Sequence, residues 1–246
     1  MIIRISIFAL FVKKNPVIKA NMLSNQWFGF QIQSPEYKNN IDRQVCLRYH
    51  IFMTRKNENN ARDRIIETAL DLFYKQGYLA TGINQIIAES QVAKATFYSN
   101  FPSKEALCIA YLQARHDIWM GWLKDHVQNS KTDKEKLLAV FSFLKQWMQE
   151  SKFRGCAFLN IASEVPLKDS KIRDEVIKHK NGLQKFLHGI IADIIESSNI
   201  PKDLNTESTA KAVYVLVEGA IVSSQNYSEI WPIESAQEVV KKLLTE

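Results

Sequence analysis

The sequence predicts an all-α protein, with an N-terminal tri-helical helix-turn-helix head and a C-terminal body of longer helices. Three observations predict it. Only 8 of the 246 residues are glycine, which leaves few turns for a β-rich chain. From Ala61 onward, apolar residues recur at helical spacing in stripes set against charged faces. Two of the predicted helices are short, sit behind a longer one and are joined by a turn of three residues, the spacing of a helix-turn-helix unit.

The first fifty residues stand apart from this pattern. Residues 2–12 form an apolar run interrupted by Arg4, superficially like a signal peptide, but Lys13-Lys14-Asn15-Pro16 follows instead of an A-x-A-like cleavage site. Residues 21–52 hold neither the helical nor the strand period for long. Met53 then opens a short polar lead of the kind that precedes a first helix. Residues 1–55 are therefore read as an extension, either non-native upstream sequence with Met53 as the physiological start or a disordered arm. Residues 56–104 are read as the head and 105–246 as the body. The formal charge of +6 follows this division. Residues 1–52 hold seven Lys/Arg against two Asp/Glu, whereas residues 53–246 hold 25 against 24.

The first helix begins near Ala61. Ile65, Ile66, Ala69, Leu70 and Phe73 share one face, and Gln76-Gly77 supplies a left-handed stop. Thr81-Gly82 is an N-cap region for a second helix, Ile83 to Ser90. Gln91-Val92-Ala93 forms the turn to a third, Lys94 to Asn100, with Phe97 facing inward and Val92 plugging the space between the two helices. This third helix is too short to be a core element, but its outward residues suit a DNA major groove. Lys94, Thr96, Tyr98 and Asn100 offer a cation, a hydroxyl, a phenol and an amide for phosphate contact and base-edge reading. Thr81 would present a hydroxyl to a phosphate at a helix start, and Lys104 a second cation. With Ala95 on the same helix, these are the candidate DNA-binding residues. Arg55, Lys56, Arg62 and Arg64 complete the placed cations of the head.

Residues 62–107 resemble the DNA-binding head of TetR/AcrR-family repressors. The resemblance is carried by Gly77-Tyr78, by the segment from Thr81 to Ser90 and by the segment from Val92 to Leu107, which contains Lys94-Ala-Thr-Phe-Tyr-Ser-Asn-Phe-Pro-Ser-Lys104. It implies a recognition helix carrying Lys94, Thr96 and Tyr98, with Tyr98 and Lys104 among the DNA-backbone contacts. Family members usually carry glycine where this chain has Gln91, and often a serine cap where it has Ala93.

Beyond Ser103 the segments lengthen. Residues 103–128 carry two apolar stripes, one with Leu107, Tyr111 and Ile118, the other with Leu112, Trp119 and Leu123, so this helix is expected to be buried on two sides. Thr132 and Glu135 have capping-box spacing ahead of a helix to about Glu150. Arg154-Gly155-Cys156 opens a shorter helix ended by Pro166, and this stretch resembles, more loosely, the effector domain of one TetR/AcrR subgroup. A long helix runs from Asp169 to about Asn199. Residues 206–226 show a stripe of small and β-branched residues including Ala210, Val213, Val217, Ala220 and Ser224. With residues 233–244 it is read as a homodimeric four-helix bundle, the alternative being an internal core pair.

The body is rich in aromatic residues with a few polar groups between them, the composition of a small-molecule site. Candidate ligand-binding residues are His116, Trp119, Trp122, Phe141, Phe158, Asn160 and Glu164. His179 falls on an apolar stripe and reads as a core histidine. Cys108 and Cys156 would sense electrophiles only if a thiolate were favoured.

No catalytic constellation, metal-ligand spacing or phosphate loop is present in the sequence, so neither an enzyme nor a cofactor is expected. No apolar run reaches the roughly 18–20 residues that span a bilayer, and the three unpaired-looking cysteines fit a reducing cytoplasm. The expected function is a ligand-responsive, dimeric repressor released from a near-palindromic operator in double-stranded DNA by a small-molecule effector. Control by a protein partner is the competing reading, and a helical small-molecule enzyme is the third.

Overall fold

The computed structural model describes residues 60–165, 170–197 and 205–244. The expectations for residues 1–55, and for Arg55 and Lys56, lie outside them. Nine α-helices fill the described residues: α1 (Ala61–Gln76), α2 (Ile83–Glu89), α3 (Lys94–Asn100), α4 (Lys104–Val127), α5 (Asp133–Glu150), α6 (Ala157–Glu164), α7 (Lys171–Ser197), α8 (Thr206–Tyr227) and α9 (Trp231–Leu243).

Side chains placed at the ends set several of these boundaries. The Asn60 side chain accepts the Asp63 N–H at 2.9 Å and opens α1. Gly77, at φ +95°, closes it with its N–H on the Phe73 carbonyl. Ser103 caps α4 and Asn205 caps α8 in the same way as Asn60. Thr132 accepts the Glu135 N–H at 3.1 Å, and Glu135 reaches back to the Lys131 N–H at 2.8 Å, one residue before the cap itself. Glu135 therefore closes a capping box shifted by one position.

In the head, α1 packs against both short helices and against α4. Ile65, Ile66, Ala69 and Phe73 of α1 join Ile86, Phe97 and Phe101 in a continuous core that runs into Leu107 and Tyr111 of α4. The body wraps α7 with α4, α5, α6 and α8, and α9 lies against α5 and α8. α4 serves both halves, as its two apolar stripes require.

The stripe assigned to dimerisation is turned inward. Ala210, Val213, Val217, Ala220, Ile221 and Ser224 are all buried within this one chain. α8 packs them against α7 and α9, so the internal alternative describes them correctly. The opposite face of α8 is also apolar: Val215 is 64% exposed and Val222 is 41% exposed, with Gly219 open between them. Trp231 and Val239 of α9 are exposed as well.

The turn between α2 and α3 carries backbone strain. Gln91 sits at φ +53°, a left-handed conformation that costs a side-chain-bearing residue roughly 1–2 kcal/mol. The departure from glycine at this position therefore has a physical price. Gln91→Gly is expected to stabilise the head by about 0.5–1 kcal/mol after its own unfolded-state entropy is counted. Thermal denaturation followed by circular dichroism should show a rise of roughly 2–4 °C per kcal/mol. A fall in the midpoint would mean that the Gln91 side chain makes up for the strain.

Candidate nucleic-acid interface and effector cavity

α3 is held by one residue. Phe97 is fully buried, with its ring edge-to-face against Tyr98 at 5.3 Å and tilted against Phe101 at 6.3 Å. Around that anchor Lys94, Ala95, Tyr98 and Ser99 face solvent, and Thr96 and Asn100 are half-buried. The helix has no side-chain cap, because Ala93 occupies the N-cap position. Arg64 Nε donates to the Ser90 carbonyl at 3.3 Å and ties α1 to the start of the turn, and Arg62 lies over the Phe101 ring at 5.3 Å.

Three of the seven DNA-binding candidates form one exposed face, Lys94, Ala95 and Tyr98. Thr81 is not available as expected. It is fully buried, and its hydroxyl donates to the Gly77 carbonyl at 2.7 Å, leaving Gly82 as the N-cap of α2. Asn100 turns its amide back onto the Thr96 carbonyl at 2.8 Å. Lys104 extends over the Tyr78 ring at 4.5 Å and donates to the Leu79 carbonyl at 3.3 Å. Burial holds its ammonium below the usual lysine range.

Between α1 and the body lies a cavity of about 1070 Å³. Its lining is mixed: Phe73 and Tyr74 from α1, Trp122 from α4, and Phe143 and Trp147 from α5 give aromatic surface among polar and charged side chains such as Glu67, Arg115, His126 and Glu150. Among the ligand candidates, Trp122, Asn160 and Glu164 line it. Trp119 and Phe158 instead border a small recess of about 10 Å³ further inside. Arg115 and Trp147 wall both spaces.

Two candidates lie elsewhere. Phe141 is fully buried and belongs to the core. His116 places its Nδ1 3.0 Å from Nδ1 of His179, an interaction that requires one ring to donate and the other to accept. His179 is the core histidine expected, stacked on Phe158 at 3.6 Å with the rings nearly parallel. Burial, with Lys180 and His116 nearby, lowers its pKa to about 3, so it stays neutral.

Of the polar candidates, Glu164 is tied directly to the head. Glu164 accepts the Leu79 N–H at 2.6 Å, just beyond the end of α1. A side chain at Gly77 would meet that carboxylate at 2.8 Å. Arg154 donates to the Tyr74 and Lys75 carbonyls, and Tyr74 donates its hydroxyl to the Gly155 carbonyl at 3.0 Å. Asn160 links the Arg154 carbonyl to Gln225 of α8. The segment leading into α6 thus clasps the C-terminal end of α1.

Among the described residues, Cys108 and Cys156 are both buried. Burial pushes the Cys108 thiol up to about 12, which leaves no thiolate there at neutral pH. Cys156 has the Lys180 ammonium 3.5 Å from its sulfur. Among the described residues, no group of three metal-ligating side chains converges, and no helix is long and apolar enough to cross a membrane.

Residues 65–111 match the bacterial regulatory proteins of the tetR family, and residues 134–240 match the tetracyclin repressor-like C-terminal domain. The chain belongs to the TetR family. Its TetR relatives include the transcriptional repressor NemR of Escherichia coli, 23% identical over 194 residues, which cover 78% of this chain and 98% of NemR. Among solved structures, a TetR-family regulator from Cytophaga hutchinsonii superposes with a TM-score of 0.68 at 26% identity, covering 77% of this chain and 97% of the other. A TetR-family regulator from Streptomyces coelicolor gives 0.66 at 25% identity, covering 75% and 94%. As a TetR-family member, the chain is a DNA-binding transcriptional regulator.

Arg115 and Arg154 are the residues that sequence reasoning missed. Arg115 lies between the two apolar stripes of a helix read as buried on both sides, and that position was the signal. Arg154 gave no such signal, since a lone arginine ahead of a helix usually faces solvent.

Proposed function

We propose that this TetR-family protein is a ligand-responsive repressor that binds a near-palindromic operator as a homodimer. Residues 56–104 act as the DNA-reading head and residues 105–246 as the effector and dimer body. Lys94, Ala95 and Tyr98 enter the major groove. Thr96 and the remaining donors of Lys104 reach base edges or phosphates at its rim. Two such heads on a two-fold axis lie about 34–36 Å apart and read half-sites one helical turn apart.

One observation carries the ligand reading: the wall of the cavity is α1 itself, the element that frames α2 and α3. A molecule among Phe73, Tyr74 and Trp122 touches the head's frame directly. Such a ligand favours whichever head position fits it, and operator affinity falls by the ratio of its affinities for the two states. Repression as the sign of control is supported by the E. coli relative, itself a transcriptional repressor. TetR-family repressors bind operators and act as dimers. The outward faces of α8 and α9, with Val215, Val222 and Trp231, suit a second copy of the chain. Action on DNA places the protein in the cytoplasm.

Footprinting on DNA flanking the protein's own gene tests this reading, repeated with a panel of lipophilic and electrophilic compounds. The expected result is a protected near-palindrome that at least one compound releases. Protection released only by a protein fraction would favour the partner-controlled alternative.

A further inference from the structure

We infer that the effector carries a carboxylate or similarly compact anion, bound by Arg115 at the inner end of the cavity. The inference rests on the effector role proposed for that cavity. Arg115 is 4% exposed and walls both the cavity and the recess behind it. Among the described residues it forms no ion pair with a carboxylate; its guanidinium lies 4.0 Å over the ring of Tyr74. A buried cation without a counter-ion is costly unless an anion reaches it.

The surroundings point the same way. The buried indole N–H of Trp119, which lines the recess with Arg115, has no hydrogen-bond partner. Two donors thus border one small space: the Trp119 N–H has no acceptor, and the guanidinium is held by the Tyr74 side chain, not by a carboxylate. The recess also holds Lys180 and Glu218, but these satisfy each other at 2.6 Å. Five carboxylates also line the large cavity, Glu67, Asp71, Asp125, Glu150 and Glu164, and Asp71 is engaged by Lys75, Glu150 by Gln146 and Glu164 by the Leu79 N–H. Where the cavity and the recess share a wall, that wall is Trp147 and the Arg115 guanidinium. A recess of about 10 Å³ admits one oxygen-sized group, not a bulky head group. The apolar part of such a ligand would lie along Phe143, Trp147 and Trp122, with one anionic oxygen in the recess between the guanidinium and the indole N–H and the other on the cavity side of the guanidinium. Charge-assisted, bidentate contacts of this kind are the strong ones for arginine.

Isothermal titration of the full-length protein with decanoate, decanamide and decyltrimethylammonium tests the inference. These probes share a chain and differ in head-group charge. Decanoate is expected to bind ~10-fold more tightly than the amide, with the ammonium weakest. Arg115→Gln should bring decanoate down to the affinity of the amide without changing amide binding, and Arg115→Lys should keep most of the preference. Should Arg115→Gln not fold, Trp119→Phe serves in its place and should weaken decanoate alone by roughly threefold. Equal or tighter binding of the amide or the ammonium overturns the anion assignment while leaving the cavity an effector site. So does decanoate binding that neither substitution changes. Binding of none of the three overturns both.

Discussion

Replacing Lys94 and Tyr98 together by alanine removes specific operator binding, with a loss of about 100-fold in affinity. Each side chain stands on the solvent face of a helix that Phe97 alone anchors, so neither is needed to hold α3 in place. Individual contacts to bases or phosphates are worth roughly 1–3 kcal/mol, and two lost contacts give the stated factor. The two single variants should differ in kind. Lys94→Ala should lower the slope of log affinity against log salt by about one, the signature of one lost phosphate contact. Tyr98→Ala should lower affinity with less effect on that slope. It also removes the edge-to-face contact with Phe97, worth about 1 kcal/mol, so a fall of a few degrees in thermal midpoint accompanies it. Fluorescence anisotropy with a labelled operator gives the affinities, and circular dichroism verifies the fold. Operator affinity unchanged in the double variant would show that α3 is not the reading helix.

Val215→Glu and Val222→Asp, on the outer face of α8, should convert a micromolar dimer into monomer. Two-fold symmetry places every substitution in the interface twice, and each carboxylate is driven into an apolar seam without a partner. In the monomer both residues face solvent, so the fold should survive: they lie opposite the buried Val213 and Val217. Light scattering coupled to gel filtration reads the mass directly. Operator affinity should fall with it by at least about 100-fold, because the second head loses its high local concentration. A dimer that persists in both variants would move the interface away from α8.

Much of this architecture can be read from residue spacing. The apolar positions of α1, the stop at Gly77, the inward Phe97 and the capping serine and threonine of α4 and α5 follow from local rules, because each depends on neighbours a turn away. What escaped depends on distant partners. Thr81 has the chemistry of a cap, but the Gly77 carbonyl lies within reach of its hydroxyl and draws it inward. The stripe from Ala210 to Ser224 is apolar and small, and periodicity does not distinguish burial against α7 from burial against another molecule. A second stripe, Val215, Gly219 and Val222, shares the helix and is exposed. The cavity shows the same limit. Periodicity separates buried from exposed positions, not filled space from empty space, so Phe141 in the core and Trp122 on the cavity wall look alike in sequence. Arg115 was hidden by its charge, since a cation on a helix is ordinarily taken to be hydrated.

Gly155 lines neither the proposed DNA face nor the cavity, but it touches Tyr74 and Gln225, which line the cavity. It sits at φ +75°, and a methyl group there would lie 2.1 Å from the Gln225 side chain. A side chain there would be strained by the backbone conformation and would have to displace the Gln225 side chain. Its own carbonyl receives the Tyr74 hydroxyl from α1. Loss of regulation on changing Gly155 would therefore imitate damage to the operator-reading surface, although the residue's whole contribution is the room it leaves for its neighbours.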